Sequence, residues 1–277
     1  MYLRPRTVED CCSALAEAPA AILSGGTDFF PALGDRPRPE RILDLSAVAD
    51  LAAIRIHDDH VAIGARATWS AIRDAALPPA FDALRAAARE VGSVQIQNVA
   101  TLGGNLCNAS PAADGVPPLL LLEAELELVS AGGVRQLPLP EFLLGNRCTA
   151  RRPDEVLTRI LVPRGPGTAR SSFVKLGARR YLVISIVMAA ALVEVAGGRV
   201  RSARVAVGAC SAVARRLPEL ETALVGRDAD GLARHVRPEH LFALTPISDV
   251  RASAAYRDQA ALELVRRALD LCLEGAG

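Results

Sequence analysis

Two glycine pairs set the strongest constraint on what this chain can become. Gly25-Gly26 sits in Ser24-Gly25-Gly26-Thr27-Asp28, closing a short apolar run over 20–24, and Gly103-Gly104 sits in Thr101-Leu102-Gly103-Gly104-Asn105. A residue without a Cβ reaches φ > 0 and lets another backbone or a ligand come close. Successive amides in such a turn form a concavity that suits an anion such as a diphosphate. Thr27, Thr101, Asn105 and Ser110 place neutral hydroxyl and amide groups nearby. Taken singly, each pair reads more readily as a plain turn than as a binding loop, because Gly-Gly is common punctuation. Neither stretch fits G-x-x-x-x-G-K-[ST] or G-x-G-x-x-G, so the usual nucleotide fingerprints are absent. The second pair is expected to precede a helix starting near Pro111, whose N-terminal dipole would also favour a phosphate.

Hydrophobic period orders the rest. Thr7, with an acid three residues on at Asp10, caps a helix that ends at Pro19. Strands are expected over 20–24 and 42–45, and a hairpin over 54–63 turns at Asp58-Asp59. A helix covers 79–90, closed by Gly92. An apolar helix should run from Ser110 through Leu122, followed by a hairpin over 125–137 around Gly132-Gly133 and a strand over 156–162. The stretch 163–167 is the best linker. Beyond it the order changes to strands over 172–176, 182–195 and 200–208, then helices over 212–224, 230–236 and 254–273. Strands followed by helices suggest a small α+β unit.

Composition narrows the classes. Of 277 residues, 51% are hydrophobic, and 32 basic residues face 31 acidic ones for a net charge of +1. Such a chain is neither disordered nor marked by the basic excess of a nucleic-acid binder. The longest apolar run, 182–193, spans 12 residues and is too short for a bilayer. No apolar leader precedes Thr7. Cysteines at 11, 12, 107, 148, 210 and 272 include no C-x-x-C and no metal-ligand spacing. A cytoplasmic protein with reduced thiols and no metal centre, membrane segment or nucleic-acid partner is expected. The basic residues comprise 31 Arg and a single lysine, Lys175.

The stretch Ser24-Gly25-Gly26-Thr27-Asp28, the run from Gly92 through Thr101-Leu102-Gly103-Gly104-Asn105-Leu106, and Asn108-Ala109-Ser110-Pro111-Ala112-Ala113-Asp114 together resemble the FAD-binding medium subunit of molybdenum hydroxylases, the xanthine dehydrogenase and carbon monoxide dehydrogenase group. The likeness continues through Phe173–Arg180 and covers nearly the whole chain; residues 181–188 are most like bacterial xanthine-dehydrogenase-type flavin subunits. The resemblance implies an α+β chain. A PCMH-type FAD-binding domain over 1–165, made of two α/β subdomains (about 1–52 and 53–165), would precede a smaller C-terminal domain over 168–277 with a three-stranded sheet and helices. It implies FAD as cofactor and a cradle in which Ile22, Leu23, Ser24, Gly25, Gly26, Thr27, Asp28 and Phe29 wrap the diphosphate from one side. Ala100, Thr101, Gly103, Gly104 and Asn105 would hold it from the other. Ser110 and Asp114 match positions near the ribityl, adenosine or flavin polar edge, Leu157 an apolar contact, and Lys175 a lysine reaching the cofactor from the C-terminal domain. Val91 stands where some relatives place an aromatic against the isoalloxazine ring.

The implied partners are a large molybdenum–pterin subunit and a small [2Fe–2S] subunit, with NAD or another acceptor downstream. No side chain of this chain would be an essential acid, base or nucleophile. The residues agree, because no Ser–His–Asp pattern or H-E-x-x-H occurs. His57 and His60 flank a turn, His235 and His240 straddle Arg237-Pro238, and Trp69 reads as core. Arg179-Arg180-Tyr181 reads as a solvated strand end, or else as a lining of the flavin edge or a docking face. A self-contained flavin oxidase of the vanillyl-alcohol-oxidase type is a second reading, though such chains are longer and often bond the flavin through His or Cys. A non-catalytic scaffold subunit is a third.

Overall fold

The computed structural model describes residues 1–165 and 167–274. Pro166, inside the expected linker, and residues 275–277 lie outside the described residues. The chain begins with a small parallel sheet in which Ile42–Asp44 lies between Tyr2–Leu3 and Ala21–Leu23. The Val8–Glu17 helix connects the outer strands, and the Thr7 hydroxyl caps it by accepting from the Asp10 amide at 3.1 Å. Cys11, Leu15, Leu43 and Leu51 form the small core here, and Val156 joins it from the next sheet.

That next sheet has five antiparallel strands in the order Ile54–Ile56, His60–Gly64, Val156–Pro163, Glu125–Ser130 and Gly133–Pro138. Both expected hairpins form, with Ile54 opposite Ile63 and Ser130 opposite Gly133. Alternation places Ile63, Leu126, Leu128 and Ile160 inward. The Asp82–Glu90 helix packs Leu84, Ala87 and Ala88 into the same core, and Gly92 closes it at φ +55°. Trp69 is 1% exposed, as the core reading expected.

The last unit is a four-stranded antiparallel sheet: Arg170–Leu176, Val187–Ala196, Arg199–Gly208 and Arg215–Arg216. The 21-residue helix Ala254–Glu274 buries Ala261, Leu264, Val265, Ala268 and Leu269 against it. The fourth strand corrects the three-stranded expectation. Arg215 and Arg216 pair with Val207 and Ala206, so the helix expected from 212 starts only at Pro218, where a missing amide proton costs nothing. The strand expected from 182 starts at Val187, because Leu182 has φ +52° and residues 182–185 turn toward the first domain. The segment expected as a helix over 230–236 is the 3-10 turn Leu232–His235. The helix expected from Ser110 covers only Val116–Leu121; before it, the Ala113 amide closes a turn on Ser110 O.

No gap separates the cores of the two larger units. Phe173, Met188 and Ala190 share one cluster with Leu84, Leu119 and Ile160. The Ser171 hydroxyl donates to Ala80 O at 2.7 Å and accepts from the Ala83 amide at 2.9 Å. No helix among the described residues is long and apolar enough to cross a membrane.

Candidate functional site

The strand Ala21–Leu23 delivers the chain to the first glycine pair, which abuts the second glycine segment. A Cβ on Gly25 would lie 2.1 Å from Val99 O, so only glycine permits this approach. Gly26 has φ +76°, and the hydroxyls of Ser24 and Thr101 meet at 3.1 Å across the junction. Among the described residues the amides of Gly25, Gly26, Thr27 and Asp28 donate to no protein acceptor. Four successive uncommitted donors beside a positive-φ glycine are the concavity expected for an anion.

The second segment differs from its expected form. It is no open turn but the opening of the Leu102–Asn108 helix, with Thr101 as cap. Its amides are committed: Leu102 N donates to Ala67 O at 3.0 Å, Gly103 N to Ala65 O at 2.8 Å, and Gly104 N to Thr101 Oγ1 at 3.1 Å. The glycines here serve approach. A Cβ on Gly103 would lie 2.7 Å from Ala65 Cβ and Ala65 O. The dipole expected near Pro111 is absent from the site, because the next helix begins at Val116 and Pro111 lies in a turn.

Between the two segments lies a cleft of about 560 Å³, within the usual range for small-molecule sites. Of the residues expected to hold a cofactor, Ile22, Ser24, Gly25, Gly26, Thr27, Asp28 and Phe29 line one wall, and Ala100, Thr101, Gly103, Gly104, Asn105 and Leu157 contribute to the other. Val91 also faces the cleft, beside Ile96 and Trp69. Asn105 Oδ1 is buried without a hydrogen-bond partner, an uncompensated acceptor in the wall. The charged side chains in the lining are Arg66, Arg147 and Arg151 against Asp28 alone. Three guanidinia to one carboxylate, in a chain of net charge +1, make the cleft locally cationic. These arginines were not singled out from the sequence. Twenty-nine other basic side chains surround them in the composition, and nothing in their spacing marks three from distant segments as neighbours.

Leu23, Ser110, Asp114 and Lys175 lie outside the lining. Leu23 is buried in the small sheet, and Ser110 caps the turn ahead of Asp114 by accepting from the Ala112 amide at 3.2 Å. Lys175, on the edge strand Arg170–Leu176, donates to Asp114 Oδ2 at 2.6 Å and to Glu90 O at 3.3 Å, one residue from Val91. Ser185 donates to the other Asp114 oxygen at 2.7 Å. Both charged side chains are more than nine-tenths buried. Burial pushes the Asp114 carboxyl up from its ordinary range, and the Lys175 ammonium and Ser185 hydroxyl work against that push. Ser185, the second partner of this carboxylate, carried no sequence signal of its own.

Arg179, Arg180 and Tyr181 are exposed and outside the cleft lining, with the Arg180 guanidinium 5.2 Å from the Tyr181 ring centre. The imidazoles of His57 and His60 stack at 4.4 Å on the hairpin tip, and the His240 ring accepts from the Arg237 amide at 3.2 Å. Among the described residues no three His, Cys, Asp or Glu side chains converge on one point.

Two family models match the chain. Residues 1–165 match the FAD binding domain in molybdopterin dehydrogenase, and residues 172–271 match the CO dehydrogenase flavoprotein C-terminal domain. The nicotinate dehydrogenase FAD-subunit of Eubacterium barkeri is 34% identical over 194 residues, which are 67% of this chain and 66% of that one. The xanthine dehydrogenase FAD-binding subunit of Escherichia coli O157:H7 is 35% identical over 214 residues, 75% of this chain and 73% of that one. Among solved structures, a chain of quinoline 2-oxidoreductase from Pseudomonas putida 86 superposes with a TM-score of 0.92 at 28% identity, covering 99% of this chain and 97% of that one.

Proposed function

The chain belongs to the family of FAD-binding subunits of molybdopterin dehydrogenases, and on that premise we propose that it carries electrons within a molybdenum hydroxylase complex. In this reading a large partner subunit holds the molybdenum–pterin centre where substrate is hydroxylated. A small partner holds the [2Fe–2S] clusters that feed this chain, and NAD or another acceptor takes the electrons onward. Bound FAD supplies the redox chemistry, and this chain's residues hold and orient it.

One observation carries the proposal: Gly25 to Asp28, whose four amides are uncommitted, line a cationic cleft to which the second glycine segment also contributes. A diphosphate brings two negative charges and several acceptor oxygens, which is what such a surface lacks. Gly25, Gly103 and Gly104 keep the backbone close enough to wrap it. Ser24 and Thr27 add hydroxyls that can turn toward an anion. Asp114 and Lys175 act from behind the Val91 wall in this reading, fixing the seam between the domains against which the cofactor lies.

Co-purification from the native host tests the proposal. It expects a complex containing FAD on this chain, molybdenum and iron on the other two, and flavin bleaching when substrate is added. A chain that turns over substrate alone would favour a self-contained oxidase, and a stable complex without flavin would favour a scaffold; either overturns the proposal.

A further inference from the structure

Arg66 differs from the other two arginines of the cleft. Arg147 is exposed and donates to Asn108 Oδ1, and Arg151 spends one nitrogen on the carbonyls of Arg152 and Glu155 at 2.8 Å each. Arg66 follows the hairpin strand His60–Gly64 and is half-buried. Its backbone amide donates to Leu51 O at 2.7 Å and its Nη1 to Val48 O at 2.8 Å. These bonds fix the backbone and one corner of the guanidinium against the 3-10 turns that follow the small N-terminal sheet. The side chain makes no other hydrogen bond, and no carboxylate lies within salt-bridge distance among the described residues. A guanidinium has five N–H donors in a rigid plane; Arg66 commits one nitrogen to Val48 O and lines the cleft with the rest of its fork uncommitted to any protein acceptor.

Its neighbours suggest what it meets. Ala65 donates to Thr158 O at 2.9 Å, which sets Arg66 beside Leu157. Ile22 and Leu45 come from the small sheet and its exit, and all of these line the same cleft. One end of the cleft is therefore an aliphatic slot edged by a planar cation, next to the uncommitted amides of the first glycine turn. The other end, at Val91 and Ile96, is where Lys175 and the C-terminal domain approach. A planar cation beside aliphatic walls suits a nucleotide: the base packs on the aliphatic side chains, and the guanidinium takes phosphate oxygens in its fork.

We infer that Arg66 is a specificity-determining residue that holds the adenosine diphosphate half of the cofactor, so that the cleft takes FAD in preference to flavins lacking that half. The inference rests on the flavin reading above. Lysine would serve less well, because an ammonium has no plane to lie along the slot and presents no bidentate fork to a phosphate.

The test uses the full chain with FAD, ADP and riboflavin as separate probes in equilibrium titrations. Arg66→Met is expected to weaken FAD and ADP by about tenfold or more, the loss of one charge-assisted contact, while riboflavin affinity stays as in the parent. Equal FAD and ADP affinities in parent and variant overturn the inference and leave the flavin reading standing. A parent chain that binds neither FAD nor ADP overturns both. If Arg66→Met unfolds through loss of the Val48 contact, modification of the parent by phenylglyoxal, mapped by mass spectrometry, decides. Protection of Arg66 by ADP supports the inference, and equal modification with and without ADP overturns it.

Discussion

Lys175 Nζ lies 2.6 Å from Asp114 Oδ2, and this one contact ties the C-terminal sheet to the turn that follows the second glycine segment. The only lysine of the chain thus has a buried partner and little contact with solvent. Lys175→Met would strand a buried carboxylate and should destabilise the chain by about 3–5 kcal/mol. The double variant Asp114→Asn with Lys175→Met should recover part of that loss. Denaturant unfolding of the four proteins of this cycle measures it, and strictly additive losses would show that the pair is not coupled.

Lys175→Arg keeps the charge but enlarges the head in a filled site. It should lower the unfolding midpoint, and it should loosen FAD by displacing Glu90 and Val91, whose segment accepts from the lysine. Flavin retention on desalting reads the second effect, and unchanged retention with unchanged stability would count against any role for this residue.

Gly25→Ala puts a Cβ 2.1 Å from Val99 O, a backbone atom that cannot rotate away. The two glycine segments must separate, costing about 2–4 kcal/mol and abolishing FAD uptake. Gly132→Ala serves as control, because its nearest neighbour would be Ser130 Oγ at 3.5 Å; it should stay within about 0.5 kcal/mol of the parent. Calorimetry and flavin titration of both variants give the comparison.

How much of this was legible beforehand depends on the range of the interaction. The hairpins over 54–63 and 125–137 and the turn at the first glycine pair are set by neighbours in sequence and are present in the fold; the helix over 79–90 is present as Asp82–Glu90 behind a 3-10 turn at Pro79–Phe81, closed by Gly92. The second glycine segment was misread as an open turn because its amides are spent on Ala65 and Ala67, more than thirty residues away in the chain. The short strand Arg215–Arg216 is dictated by its partner Val207 and has no pattern of its own. Arg66, Arg147 and Arg151 become one electrostatic feature only once three distant segments meet.

Thiol reactivity should follow burial. Cys11, Cys12, Cys210 and Cys272 are buried, while Cys107 and Cys148 are exposed. Burial pushes the Cys11, Cys210 and Cys272 thiols up to about 12, so no thiolate forms there near neutrality. Cys148 should therefore label first in the native chain, and Cys107, exposed but with its thiol pushed up to about 11 by desolvation, more slowly. Cys107 lines the cleft and Cys148 does not, so FAD should slow labelling of Cys107 alone; peptide mapping after timed alkylation tests this.

Acid should act through Asp249. The Arg251 amide, with the Arg257 guanidinium, holds its carboxyl down from 3.8 to about 2. A depressed folded-state value means that the stabilisation is complete above pH 3.8 and is lost as pH falls toward 2. Asp249→Asn should be less stable than the parent at neutral pH, and the gap should close across that window. A gap independent of pH would assign the loss to packing around the buried Arg257 instead.

The central claim, that the cleft between the two glycine segments is a flavin site, is tested most directly by titrating the folded, flavin-free full chain with FAD while following flavin fluorescence. One FAD per chain, retained through gel filtration and lost in Gly25→Ala, is the predicted result. A folded parent chain that takes up no FAD, or that retains it equally with Gly25→Ala, would contradict it.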